Sequence, residues 1–389
     1  MTYNPSILAE VMRARSLSAS ALSKRLGLSI DSLREELDRD PEPTQKLLNS
    51  IAKELALPAF VFFMQKTPSI GEIIPDFRSA HPVPSPKYPA TIQKIQLAAT
   101  IQKAAAQLVR SGASNLPSLN PKTTQEIEEL AFNARQYFRI SLDDQLAASD
   151  ARAFYNICRK KIEDKGIFVL QESFPPEDGS GFCLAHPTHP VIVINTKRQT
   201  RGRRLFTLVH ELGHVLLQAT GISDPFERHN PTEKLCNMFA SAFLIPAHLL
   251  SGLLNGMSLT KEPDVEDVRR AAKRTKISQQ ATVLRLEELG TFRQGSHERW
   301  LKAVHNLGNP DYSEKGGGVG GPPPQEKVKL AKYGFRLASA FAKPLQRGQI
   351  TDIELFRTTG LKPKYQLKYI EYAQSLSDLE LRTLELGDD

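Results

Sequence analysis

His210, Glu211 and His214 stand in the order His-Glu-Leu-Gly-His within RLFTLVHELGHVLLQ, a run whose apolar residues fall at helical spacing. On a helix, positions i and i+4 share a face, so the two imidazoles can hold one metal ion. Glu211, one residue along, points to the adjacent side, within reach of a metal-bound water. Treating positions as independent, chance would place this five-residue pattern in roughly 1% of chains of such length and histidine content. The surroundings add to the signal. Phe206, Leu208, Val209, Leu212, Val215, Leu216 and Leu217 mark a helix meant for burial, and two His and a Glu buried there unpaired would cost about a few kcal/mol. A catalytic zinc takes three protein ligands and leaves one position for water. Glu233, in the next helical segment, is the candidate third ligand. A Glu in a first helical turn is also favourable with the helix dipole, so spacing alone leaves both readings open.

These side chains need elements to position them, and the sequence supplies an α+β, mostly α-helical, arrangement. Short β-branched runs precede the His-bearing helix: GIFVLQE, then GSGFCLA with alternation, then PVIVIN, which predicts a small three-stranded sheet. PTEKLCNMFASAFLIPAHLL follows as a second apolar helix, with Pro231 suited to its first turn. Upstream, residues 5–65 hold four or five short helices, with Gly27 closing one and Ser29 and Thr44 as N-caps of the next two. Residues 68–89 carry six prolines and read as an extended connector, and YSEKGGGVGGPPPQEK (312–327) reads as a Gly/Pro linker. The boundaries expected are therefore 1–65, a helical module; 66–122, connector and helix; 123–290, the metal domain; 291–327, linker; and 328–389, a basic helical unit.

RRLFTLVHELGHVLL followed by EKLCNMFASAFLIP resembles the ImmA/IrrE metallo-endopeptidase family, in which a FTLxHELxH helix precedes an ExxxN-x-FA-xx-LLxP helix. Glu233, Asn237, Phe239, Ala240 and Pro246 take the matching places, and the likeness extends to GFCLAHPTHPVIVIN and to PDFRS at 75–79. The resemblance implies a gluzincin-like zinc peptidase core, with His210, His214 and Glu233 as zinc ligands and Glu211 as catalytic base. Asn237, one turn after Glu233, is expected either to hold that ligand or to serve helix packing. For oxyanion stabilisation the candidate donors are His186, His189 and His229, with solvated loop positions as the alternative. The strand Gly181, Phe182, Cys183, Leu184 is expected either to offer an open edge on which a substrate peptide adds, or to lie inside the sheet.

LSASALSKRLGLSIDSLREEL resembles the two central helices of the Xre/Cro-type helix-turn-helix, which implies a second helix entering the DNA major groove. Its composition opposes that role. The second helix carries Asp31, Glu35, Glu36 and Asp38 against Arg34 and Arg39, and residues 1–65 hold eight basic and eight acidic residues. Phosphate neutralisation supplies most non-specific affinity, so such a module should bind duplex DNA poorly. DNA contact, protein recognition and a structural role all stay open for it.

The chain has 389 residues and a formal net charge of +8. This length predicts two or three domains. The charge excess avoids the N-terminal module, and residues 327–371 hold ten basic against three acidic residues. Cys158, Cys183 and Cys236 form no CxxC pair, which excludes a disulfide framework and a thiolate zinc ribbon. No signal sequence or long uninterrupted apolar run is evident, so a cytoplasmic protein without a membrane partner is expected. The expected function is zinc-dependent limited proteolysis of a protein partner. The family likeness implies a helix-turn-helix repressor as that partner, and derepression in a stress, mobile-element or toxin-antitoxin setting. The alternative is a DNA-binding regulator whose zinc site is sensory or structural, a reading that leaves Glu211 without a task.

Overall fold

The computed structural model describes residues 2–40, 42–67, 87–110, 112–121, 123–223, 230–306 and 323–376. PDFRS, most of the Pro-rich connector and most of the Gly/Pro linker lie outside them. Helices α1 (Pro5–Ala14), α2 (Ala19–Leu26), α3 (Ile30–Leu37) and α4 (Gln45–Glu54), with a 3-10 turn at Ala59–Phe63, enclose their own core. Leu22, Ile51, Leu55 and Phe62 lie at its centre. The expected caps form: Ser29 accepts from Ser32 N, Thr44 from Leu47 N, and Gly27 closes α2 at φ +71°.

Next come α5 (Pro89–Leu108), α6 (Thr124–Tyr137), α7 (Leu142–Ala147) and α8 (Ala151–Glu163). They lead into strands β1 (Phe168–Glu172), β2 (Gly181–Leu184) and β3 (Val191–Asn195), helix α9 (Arg201–Leu216) and β4 (Gly221–Ser223). The sheet has four strands, not three, in the order β1-β3-β2-β4, with β1 parallel to β3 and the other pairs antiparallel. Gly221-Ile222-Ser223 is too short to show a period of two, and it becomes a strand through pairing with β2. The expected open edge at Gly181–Leu184 is therefore absent: β2 is bonded on both sides, and β4 takes the edge beside it.

Helix α10 (Pro231–Leu244) packs on α9 and α6. With the turns that follow, Pro231–Leu253 is long and apolar enough to cross a membrane by length and composition. Its apolar side chains Phe239, Phe243 and Leu244 instead fill the core beside α9. Next, α11 (Leu250–Leu253), α12 (Val265–Thr275), α13 (Gln279–Glu288) and α14 (Ser296–Asn306) follow. The last three build a small core around Val268, Leu286 and Trp300. Residues 296–306, expected as linker, are thus a helix, because Trp300 and Val304 one turn apart give it an apolar face.

The C-terminal helices α15 (Gln325–Gln346), α16 (Asp352–Thr359) and α17 (Pro363–Ser375), expected as a separate unit, share the core of the strands and α9. Helix α15 lies on β1 and α8. It breaks at Gly334 (φ +76°, ψ −177°), and the N–H groups freed there by Phe335 and Arg336 donate to the Glu163 carboxylate at 2.9 and 3.3 Å. Arg159, 3.4 Å from Glu163, donates to the carbonyls of Ala331 and Val169. Both side chains are fully buried. A Cβ at position 334 would overlap the Glu163 carboxylate, so only glycine fits. Glu172 at the end of β1 adds a second tie, with Lys94 of α5 at 2.8 Å and Lys332 of α15 at 3.3 Å.

Candidate metal centre

Thr200 caps α9, accepting from Arg203 N, and Arg204 Nη2 donates to Thr196 O at 3.1 Å, tying the first turn of α9 to the end of β3. From there the helix runs into the core, and His210, Glu211 and His214 are fully buried or nearly so. Gly213 sits on the α10 side, where a Cβ would come within 3.2 Å of the Cys236 Sγ. Its absence lets the two helices close together. Asn230 caps α10 by accepting from Thr232 N and Glu233 N, with Pro231 at the first position, which sets Glu233 in the first turn. The far end of α10 is anchored through its carbonyls: Phe243 O accepts from Arg135 Nη1 at 2.8 Å, Leu244 O from Gln145 Nε2 at 3.1 Å and Ile245 O from Arg285 Nε at 3.0 Å. Buried cations at a helix C-terminus suit both the unsatisfied carbonyls and the dipole.

The two helices bring three ligand atoms to one point. His210 Nε2 and His214 Nε2 are 3.1 Å apart, Glu233 Oε2 is 3.2 Å from the first and Oε1 3.0 Å from the second. Three atoms around a tetrahedral zinc, each at its usual bond length, would stand about 3.3 Å apart, so this donor set fits the ion. The directions of ionisation fit as well. Burial holds His214 below its ordinary pKa, toward the neutral form. Burial opposes ionisation of Glu233, but the His210 charge and hydrogen bonds from both imidazoles outweigh it and hold the carboxyl below its ordinary value. A neutral His214 and an ionised Glu233 are the states a ligand requires. Among the described residues, His210, His214 and Glu233 form the one His/Cys/Asp/Glu group with this geometry.

Glu211 lies beside this group and its position is fixed from the sheet. Ser223 Oγ of β4 donates to Glu211 Oε1, and a Cβ at Gly181 of β2 would come within 2.8 Å of the same oxygen. Bare backbone at 181 therefore makes room for the carboxylate. Ser223 did not stand out in the sequence, where a lone Ser carries no periodic or spacing signal, and Gly181 was expected as part of a substrate edge and not as the neighbour of Glu211. Asn237 Oδ1 lies 2.9 Å from His210 Nδ1, so it braces that histidine on the facing helix. Burial first, and then the Glu211 carboxylate, push the Cys183 thiol well above its ordinary range, which keeps it a packing residue.

The histidines proposed for the oxyanion are used elsewhere. His186 Nδ1 accepts from Thr188 N and His189 N at 3.1 and 3.0 Å, and His189 Nε2 lies 3.0 Å from Val109 O. Both shape the β2–β3 turn. His229 lies outside the described residues.

Comparison with known proteins agrees with this geometry. The model of the IrrE N-terminal-like peptidase domain matches residues 162–287. The radiation response metalloprotease IrrE of Deinococcus deserti is 37% identical over 93 residues, which is 22% of this chain and 33% of that protein. Its counterpart of the same name in Deinococcus radiodurans is 31% identical over 110 residues, 26% of this chain and 32% of that protein. The chain thus spans about a third of the length of the curated relatives it matches. No solved structure matches it. The matched segment, about a third of the chain, contains His210, Glu211, His214 and Glu233, and it is this segment that is similar to the IrrE N-terminal-like peptidase domain.

Proposed function

We propose that this chain is a zinc-dependent endopeptidase that makes limited cuts in a protein partner. The partner is a helix-turn-helix transcriptional repressor, so that cleavage derepresses genes in a stress, mobile-element or toxin-antitoxin setting. The observation that carries the reading is the convergence of His210, His214 and Glu233 with Glu211 held beside them by Ser223. The names of both relatives, which refer to a radiation response, support a stress setting. Zinc, when bound, lowers the pKa of its water toward about 7 and polarises the scissile carbonyl. Glu211 takes the proton and delivers it to the leaving amine. Ser223 and the bare backbone at Gly181 fix where the carboxylate waits. Asn237 turns the His210 ring so that Nε2 faces the other ligands.

Helix α3 supports a protein-contact role for the N-terminal module. Asp31, Glu35 and Asp38 are exposed on it, with Arg34 3.9 Å from Asp31, a surface poorly suited to a phosphate backbone. The test of the whole reading measures bound zinc and cleavage of co-expressed candidate repressors by wild type and by Glu211→Gln. Zinc should load equally, and cleavage should fall by about 10²–10⁴-fold in the variant. Cleavage that survives in Glu211→Gln, or a wild type that takes up no metal, overturns it.

A further inference from the structure

A recess opens where the N-terminal ends of α8 and α9 meet β1 and α15. On α8 it is lined by Arg152, Tyr155 and Asn156, spaced i, i+3, i+4 on one face. On α9 it is lined by Arg201 and Arg204, one turn apart, and β1 adds Gln171. None of the metal ligands borders it, and among the described residues no acidic side chain does. Its enclosed part is about 20 Å³, the room of one water-sized group, and its open mouth brings the space between the side chains to about 320 Å³. Such a shape admits one or two oxygens of a ligand whose remainder stays outside.

Three guanidinium groups at this place run against ordinary helix electrostatics. The N-terminal end of a helix is the positive end of its dipole, so cations there are unfavourable. Neither first turn holds an acidic residue. The capping Asp150 accepts from Ala153 N, and Glu172, which follows Gln171 on the other face of β1, is held by Lys94 and Lys332. Residues 197–204 hold five basic residues and no acidic one. Arg204 is tied through Nη2 to Thr196 O. Arg152, in contrast, makes no hydrogen bond or ion pair with any described residue, although its Nε is buried. Places where a sequence breaks a local rule with no compensating partner are where function is expected.

The geometry points to an anion subsite that takes a phosphoryl group, either as free phosphate or at the end of a small molecule. Arginine forks match phosphate oxygens two at a time, and Tyr155, Asn156 and Gln171 add neutral donors around them. A carboxylate brings a single charge and two oxygens, too few for three arginines. Occupied, the subsite links the N-terminal ends of α8 and α9 through one anion and relieves the repulsion among the three cations. It is independent of what the metal centre cuts.

Calorimetric titration of zinc-loaded full-length protein with inorganic phosphate, phenyl phosphate and acetate tests it. Inorganic phosphate, phenyl phosphate or both should saturate one-to-one, and acetate should bind at least about tenfold more weakly. Arg152→Gln and Arg201→Gln should each weaken the phosphate that binds by about tenfold or more, with Arg152→Lys, which keeps the charge and loses the fork, in between. Melting without phosphate separates binding from a structural role: Arg152→Gln should melt no lower than wild type, because it removes a cation from a crowded helix end. Inorganic phosphate binding alone upholds the subsite for the free anion, and phenyl phosphate binding alone upholds it for a terminal group. No saturable binding, acetate bound as tightly as phosphate, or affinity unchanged in both Gln variants overturns the subsite; the last result is also what phosphate held by the metal ion would give. An Arg152→Gln protein that melts lower without phosphate overturns it too, by assigning that arginine to the fold.

Discussion

Asn237 Oδ1 stands 2.9 Å from His210 Nδ1, so the helix that carries Glu233, one candidate ligand, also orients another on the facing helix. With Nδ1 donating to this oxygen, the Nε2 lone pair of His210 is left for a metal ion. The two helices and the ligand set are thereby one mechanical unit.

Asn237→Ala should weaken zinc affinity by about 10–100-fold, the usual cost of removing the group that orients a metal-ligating histidine. Asn237→Asp, which keeps an acceptor at this place, should retain most of it. Competition against a chromophoric chelator measures both. Equal affinity in Asn237→Ala and wild type would show that the bond does not serve the metal.

Gly181→Ala places a methyl group 2.8 Å from Glu211 Oε1 and 3.0 Å from Val193 O. The carboxylate has to move, and a displacement near 1 Å in a catalytic group costs on the order of a hundredfold in rate. On the proposed peptidase reading, kcat for a cleaved substrate should fall by about that factor while metal content stays unchanged. A variant with wild-type kcat would remove Gly181 from the account of the site.

Burial pushes the Glu163 carboxyl up to about 7 from its ordinary 4.5, against the opposing Arg159 charge and the N–H donors of Phe335 and Arg336. A carboxyl whose folded pKa is raised binds its proton more tightly when folded. Its contribution to stability is full below pH 4.5 and is lost as pH rises through about 7. The shift amounts to roughly 3 kcal/mol across that window. Melting temperature followed between pH 5 and 8 should fall more steeply in wild type than in Glu163→Gln. Parallel profiles would contradict this.

Full-length protein titrated with duplex DNA at several salt concentrations should bind weakly, and Glu35→Gln with Glu36→Gln should tighten non-specific binding by removing repulsion on α3. A tight, sequence-dependent complex formed by the wild type would return α3 to the role of a recognition helix.

The metal centre was legible because its signals are local. Two histidines at i and i+4 in an apolar run need no knowledge of the rest of the chain, whereas Glu233, left open by spacing, was singled out by the family likeness of its helix. Strand β4 was not legible, since three residues acquire strand geometry only by pairing with β2. The same pairing made β2 an interior strand. The reach of Asn237 across to His210 was not legible either, since its i+4 spacing to Glu233 carries no sign of a contact with α9. The Gly/Pro linker suggested a detached C-terminal unit. The bond from Phe335 N to Glu163, spanning 172 positions, is invisible to any local pattern.

The break at Gly334 has a practical corollary for anyone cutting the chain into pieces. Residues 123–290 contain every ligand, yet a fragment ending there would strip β1 and α8 of α15 and leave the Arg159–Glu163 pair without the groups it meets. A buried ion pair deprived of its hydrogen-bond partners is strongly destabilising. The smallest portion able to hold the metal centre is therefore discontinuous in sequence, and residues 325–375 belong to it as much as the strands do.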